Sequence, residues 1–202
     1  MTKFDQRYAN DAFFYGTAPN TFLVDAAVHL PPGSALLSLG EGEGRNAVYL
    51  ASRGHRVHAI DESAVGLAKA ERFAAASGVS ITTECADLAH VTLADGAWDA
   101  IVSIWCHVDS TLRRRLHQEA VRALRPGGVF ILEAYTPAQI GRGTGGPSDP
   151  DLMPTVAQLN DELAGLEIVR AQELERLVEE GQGHRGHSAV VQWIGRRPSG
   201  VR

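Results

Sequence analysis

No stretch of this chain reaches the roughly 18 consecutive apolar residues of a membrane-spanning helix, so no membrane partner is expected. The opening Met1-Thr2-Lys3-Phe4-Asp5 leads into a polar segment without an apolar core, and no signal peptide is expected. Cysteine is scarce. Cys85 and Cys106 sit on separate apolar stretches without a metal-ligand spacing, which excludes a disulfide framework and fits a reducing, cytoplasmic setting. Basic residues do not outnumber acids: 19 Lys and Arg stand against 24 Asp and Glu, and the net charge of −5 argues against a nucleic-acid partner. The arginines at 113–115 read as the solvated face of a helix. The glycine-rich run Gly141 to Asp151 lacks the Lys-Ser/Thr ending of a phosphate loop and reads as a connector or a lid. His184 and His187 have no third ligand or acid-rich surroundings, so no metal is expected. There is no internal repeat, and 202 residues are most simply one domain with a sizeable core.

What the chain does have is one stretch around which the rest is organised, Ala35 to Ala51. An apolar run, Ala35 to Leu39, meets glycines at 40, 42 and 44, and an amphipathic run follows at once. That pattern is strand, tight turn, helix, with a ligand expected at the carboxyl end of the strand. Gly42-x-Gly44-x-x-Ala47 also satisfies the dinucleotide pattern, so two cofactors compete. A dinucleotide brings a pyrophosphate to the helix amino end, where Glu41 and Glu43 would repel it. S-adenosylmethionine has no phosphate and carries a net positive charge, which suits an acidic turn.

The remaining elements follow in order. Five of the ten Phe and Tyr residues, at 4, 8, 13, 14 and 15, crowd into the first fifteen positions, and the leader 1–34 reads as a flap plus a helix capped by Asn20 and running to about His29. After a helix to about Arg53, the second strand, His55 to Asp61, ends in an acid 21 positions after Gly40, close to the distance at which an acid reaches a ribose diol. Ser63 caps a helix ending near Gly78, and Val79 to Glu84 reads as the third strand, followed by Asp87 and Leu88 at the expected adenine position. Trp98 to His107 is nearly unbroken and apolar, as in a parallel strand covered on both faces, and delivers Trp105, Cys106 and His107 to the ligand edge. A helix from Asp109 or Ser110, a fifth strand from Val129 to Ala134 leading into Tyr135, and a helix from about Thr155 to Leu163 come next. Two strands close the chain, Glu167–Val178 and Ser188–Arg196, separated by a long loop.

As an ordered set, Leu37-Ser38-Leu39-Gly40-Glu41-Gly42-Glu43-Gly44, Asp61, Ala86-Asp87-Leu88, Trp98-Asp99-Ala100-Ile101 and Leu124-Arg125-Pro126-Gly127-Gly128 resemble the class I S-adenosylmethionine-dependent methyltransferases. More narrowly, Tyr15-Gly16-x-x-Pro19-Asn20-x-Phe22-Leu23 with Gly44-Arg45-Asn46-Ala47 is similar to the tellurite-resistance and thiopurine methyltransferase-like group. The resemblance implies an α/β, Rossmann-like, mostly parallel seven-stranded sheet with an antiparallel last strand and helices on both faces. It places methionine at Gly40, Gly42 and Gly44, ribose at Asp61, and adenine beside Asp87 and Leu88, with Arg45 pairing the methionine carboxylate. Ser38 stands where the family usually has Asp, and Glu41 is the residue left to meet the ammonium group. The implied activity is methyl transfer to a small molecule, for instance a thiol, selenium or tellurium compound. His107 and Tyr15 are the catalytic candidates, His107 as a base, and Trp105, Cys106 and Tyr135 the acceptor-pocket candidates. A nicotinamide-dependent oxidoreductase is the rival enzyme, disfavoured because no Tyr-x-x-x-Lys pair is present. A cofactor-binding module without catalysis is the rival non-enzyme.

Overall fold

A computed structural model of the chain describes residues 2–200. Seven strands form one sheet: β1 (Ala35–Leu39), β2 (Arg56–Asp61), β3 (Thr82–Cys85), β4 (Trp98–Ile104), β5 (Leu124–Tyr135), β6 (Glu167–Glu180) and β7 (His184–Arg196). Their order is β3-β2-β1-β4-β5-β7-β6, parallel throughout except for β7, which runs against both neighbours. The helices are α1 (Lys3–Tyr8), α2 (Thr21–Ala26), α3 (Arg45–Ser52), α4 (Ala64–Ala76), α5 (Ser110–Ala123) and α6 (Val156–Glu162). None is long and apolar enough to cross a membrane.

Because successive strand residues face opposite ways, each apolar strand feeds two cores. Leu37, Ile101, Phe130 and Trp193 pack with Leu116 of α5 and Leu159 of α6 on one face. Leu36, Val102, Ile131 and Ile194 pack with Phe22 and Leu23 of α2 and Leu50 of α3 on the other. Side-chain caps start the helices where the sequence placed them: Asn20, Ser63, Asp109 and Thr155 each accept a backbone N–H of the first turn.

Four boundaries and one surface assignment differ from expectation. The third strand begins at Thr82, three residues late, and α2 gives way to a 3-10 turn at Ala27–His29. Strand β5 begins at Leu124, because Trp98 pairs with Leu124 and Ala100 with Val129, bracketing the Arg125–Gly128 turn as a bulge. The closing loop is much shorter than the polar run 179–187 indicated, since Glu180 already pairs with His184 across Gly181-Gln182-Gly183. The strand continues there because Glu180 and His184 are buried among partners rather than solvated. Likewise Arg113 is not on a solvated face: it is buried, and its guanidinium grips both oxygens of Glu162 at 3.0–3.3 Å.

Candidate active site

The turn after β1 is held from within. Gly40, Gly42 and Gly44 all adopt positive φ, at 65°, 65° and 92°, a region that costs other residues strain. Their missing side chains do not leave room for a ligand, however. A Cβ on Gly40 would meet the Cys106 Sγ at 2.8 Å, one on Gly42 the Tyr8 hydroxyl at 2.8 Å, and one on Gly44 the Cβ of Ala70 at 2.5 Å. The glycines are needed for the turn and for close packing of the chain against itself.

Neither turn glutamate faces solvent. Glu41 is buried; its Oε1 accepts the backbone N–H groups of Asn46 (3.1 Å) and Ala47 (2.9 Å), and its other oxygen accepts the Ser38 hydroxyl. A protein carboxylate therefore occupies the amino end of α3, the place where a pyrophosphate would dock. Burial raises the Glu41 carboxyl above the ordinary range, against the donors that lower it. Glu43 accepts the N–H of Phe14 at 2.8 Å and lies 2.5 Å from the Lys69 ammonium, an ionic contact rather than an aligned hydrogen bond. Lys69 is itself buried and donates to the carbonyls of Asn10 and Ala12. This clamp explains why the leader is ordered against the turn. Further along, Gln182 N–H donates to the Phe14 carbonyl at 2.8 Å, tying the leader to the β6–β7 turn.

Asp61 closes β2 as expected and is buried, one oxygen accepting Gly42 N–H and the other Ser63 N–H, both at 2.8 Å. Burial raises its pKa, with those two bonds opposing. Over this edge of the sheet opens a cavity of about 430 Å³. Tyr15, Gly40, Glu41, Arg45, Asp61, Asp87, Leu88, Trp105, Cys106 and His107 all line it. Three expected residues do not. Gly42 and Gly44 lie behind the turn, and Tyr135 is fully buried one layer back, stacked on Trp105 at 4.4 Å between centroids. Gly145, Gly146, Pro147 and Leu152 supply one wall, so part of the glycine-rich connector faces the cavity.

His107 is fixed by the backbone at both ring nitrogens: Nδ1 lies 3.0 Å from the Trp105 carbonyl and Nε2 accepts Tyr135 N–H at 3.1 Å. That pairing requires the neutral Nδ1–H tautomer, and burial lowers its pKa to about 4. No ring lone pair is left to take a proton from a ligand. Burial pushes the Cys106 thiol up to about 12, so it is un-ionised near neutrality. Tyr15 accepts from Arg7 at 2.6 Å.

Glu180, Arg176 and Glu133, which brace the cavity wall from behind, carry no local sequence signal. Arg45 is buried and ion-pairs with Glu180. Glu180 also accepts Trp105 Nε1–H (2.7 Å), Asn20 Nδ2–H (2.9 Å) and Arg176 (3.1 Å), and Arg176 and Asn20 reach on to Glu133. Burial alone would raise the Glu180 carboxyl; Arg45 and the other donors outweigh it and hold it below the ordinary range. The network fixes Trp105 in an unusual backbone state, φ 57°, that costs a bulky residue about 1–3 kcal/mol.

With that geometry established, comparison with known proteins is informative. Residues 36–128 match the family described as "Methyltransferase domain". Over that stretch the chain is similar to a methyltransferase domain. Two curated relatives agree. The 2-heptyl-1-hydroxyquinolin-4(1H)-one methyltransferase of Mycobacteroides abscessus is 30% identical over 129 residues, covering 61% of this chain and 57% of that protein. The dimethylglycine N-methyltransferase of Parasynechococcus marenigrum is 34% identical over 112 residues, covering 54% and 40% respectively. The match thus spans roughly half the length of these relatives. Among solved structures, TehB from Haemophilus influenzae aligns with TM-score 0.72 at 20% identity, over 96% of this chain and 65% of that one. The N-methyltransferase NodS from Bradyrhizobium japonicum, in complex with S-adenosyl-L-homocysteine, aligns with TM-score 0.72 at 18% identity over 96% of both chains. At those identities the structures speak for the fold alone, the β6–β7 closure included.

Proposed function

We propose that this chain is an S-adenosylmethionine-dependent methyltransferase acting on a small molecule. The observation that carries the reading is the Glu41 carboxylate on the Asn46 and Ala47 amides, at the head of the cavity that also holds Asp61 and Asp87. A dinucleotide would have to displace a buried carboxylate from the helix amino end, whereas a cofactor without phosphate does not compete for that position. In this reading Asp61 receives the ribose hydroxyls with the lone pairs left by its two backbone bonds. Asp87 and Leu88 border the adenine, and Gly40, Glu41 and Arg45 border the methionine moiety. Gly42 and Gly44 act only through the shape of the turn. The leader 1–34 covers the cofactor-binding core 35–202.

Bound S-adenosylmethionine supplies an electrophilic methyl group whose leaving group is a neutral thioether. The chain's part is to align the acceptor and exclude water. Tyr15, held by Arg7, and Trp105, held by Glu180, form rigid aromatic walls for that purpose. His107 acts as a brace between β4 and β5 rather than as a base, since both ring nitrogens are committed to the backbone. We infer an acceptor that brings its own lone pair, such as a thiolate, selenide, reduced tellurium or phenolate-type oxygen. Calorimetry with S-adenosylmethionine, its demethylated product and NAD tests this. Binding of the first two without NAD is expected; micromolar NAD binding would overturn it.

A further inference from the structure

The imidazole of His184 stands at the start of β7, and the expected catalytic set did not include it. It lines the cavity yet is only 7% exposed. Its ring stacks on Tyr15 at 4.7 Å and on Trp105 at 5.0 Å, so an aromatic face covers each side. Nδ1 lies 2.8 Å from the Tyr135 hydroxyl. Nε2 has no hydrogen-bond partner among the described residues and is not sealed off, and the residue lines the cavity.

The tautomer follows from the Tyr135 side. Tyr135 is fully buried, and its hydroxyl has His184 Nδ1 as its hydrogen-bond partner. A phenol has one proton to donate, and burial holds that proton on by raising its pKa. The Ser188 hydroxyl is also near the Tyr135 oxygen; with the Tyr135 O–H directed to Nδ1, its partner at 2.8 Å, the ring's own proton sits on Nε2. The charged and titratable groups around the ring are Arg7 and Tyr15 from the leader, Arg45 of α3, His107 after β4, Tyr135 of β5 and Glu180 of β6. Burial, then His107 and the arginines, keep the ring neutral, lowering its pKa to about 3 with Glu180 opposing. Gly145 permits the arrangement: a Cβ there would meet the Tyr135 hydroxyl at 3.0 Å and His184 Nδ1 at 3.2 Å.

Resting on the methyl-transfer reading of the same cavity, we propose that His184 is the acceptor-recognition residue, its Nε2–H donating to an anionic or lone-pair-bearing oxygen or sulfur of a planar acceptor. Tyr135 is then a positioning residue that acts through His184 by fixing the tautomer. Flat aromatic walls favour a planar ligand, and a fixed donor beside two arginines favours an anionic edge.

The test uses 4-nitrophenolate, with nitrobenzene as the probe of similar shape lacking the oxygen, on the full chain saturated with S-adenosylhomocysteine. The wild type should prefer the phenolate. His184→Phe should weaken phenolate binding about tenfold or more and leave nitrobenzene unchanged. His184→Gln, which keeps a donor, should recover part of the loss, and Tyr135→Phe should cost less than His184→Phe. Nitrogen NMR of the unmutated protein without cofactor should show the Nε2–H tautomer, a readout that needs no variant to fold. A Nδ1–H tautomer, no phenolate preference in the wild type, or equal losses on both probes would overturn the proposal. Failure of S-adenosylhomocysteine to bind in calorimetry would instead sink the methyltransferase reading and leave the tautomer result standing.

Discussion

The two ends of the cavity are held together in different ways. Around Glu41 and Asp61, at the turn end, the bonds are local, the Glu43–Lys69 clamp aside. Glu41 reaches amides five and six positions on, and Asp61 reaches Ser63 two positions on and Gly42 nineteen back. Carboxylate meets backbone N–H, and each charge is satisfied by dipoles already fixed by a strand or a helix start. At the hairpin end, side chain meets side chain across the whole chain: Asn20 with Glu133 (113 positions) and Glu180 (160), and the ion pair of Arg45 with Glu180 (135). A network of that kind exists only after the sheet is complete. The turn is thus expected to form early and tolerate single losses, whereas the hairpin end is cooperative and fails when one member is removed.

The sharpest way to break that contrast is to compare one carboxylate from each end. Glu180→Ala strands the buried Arg45, leaves Arg176 with Glu133 as its remaining carboxylate and releases Trp105 Nε1–H; removing one partner of a buried pair costs about 3–5 kcal/mol. Denaturant unfolding should show that loss. Glu41→Ala removes a cap of two amides and should cost about 0.5–2 kcal/mol, the range for losing a helix cap. Equal losses at the two sites would erase the distinction between local and network bonding.

Between these lies Asp61→Asn, which probes ligand and turn together. The amide keeps one acceptor but loses the charge, so cofactor affinity should fall by about 1.5–3 kcal/mol, the range for hydrogen bonds to a charged group. Calorimetry on the folded variant reads it. Unchanged affinity would mean that Asp61 serves Gly42 and Ser63 alone.

The same contrast explains what the sequence disclosed. The strand–glycine–helix unit, Asp61 and the caps Asn20, Ser63 and Asp109 were legible because their partners sit within a turn or one strand of them. The seven strands and the antiparallel last one followed from the family resemblance. Glu180 and His184 were not legible, because in sequence they belong to a polar run that looks solvated, and only their pairing turns the side chains inward, while Arg176 sits in an expected strand with nothing to mark its partner. The glycines of the turn were legible as a turn but not in purpose: Tyr8, Ala70 and Cys106, each from another element, fill the space assigned to a ligand. Tyr135 was placed at the correct edge but one layer too far forward.

The smallest expected effect separates His107 the brace from His107 the base. In the folded chain its pKa is lowered to about 4 from an ordinary 6.5, so the unfolded chain binds more protons between those values. Its contribution is therefore fully present above about pH 6.5, and is lost as pH falls from there toward 4. Replacing it with Gln, which removes the titration, should give a stability gap to wild type that is widest above neutrality. Because the unfolded imidazole is mostly protonated one unit below its pKa, that gap should narrow by about 1 kcal/mol between roughly pH 7.5 and 5.5. Unfolding curves of both proteins at the two pH values read the difference, in which shared contributions from Glu41 and Asp61 cancel. A gap constant with pH would mean that the ring titrates normally, and would return to it the free nitrogen that a base requires.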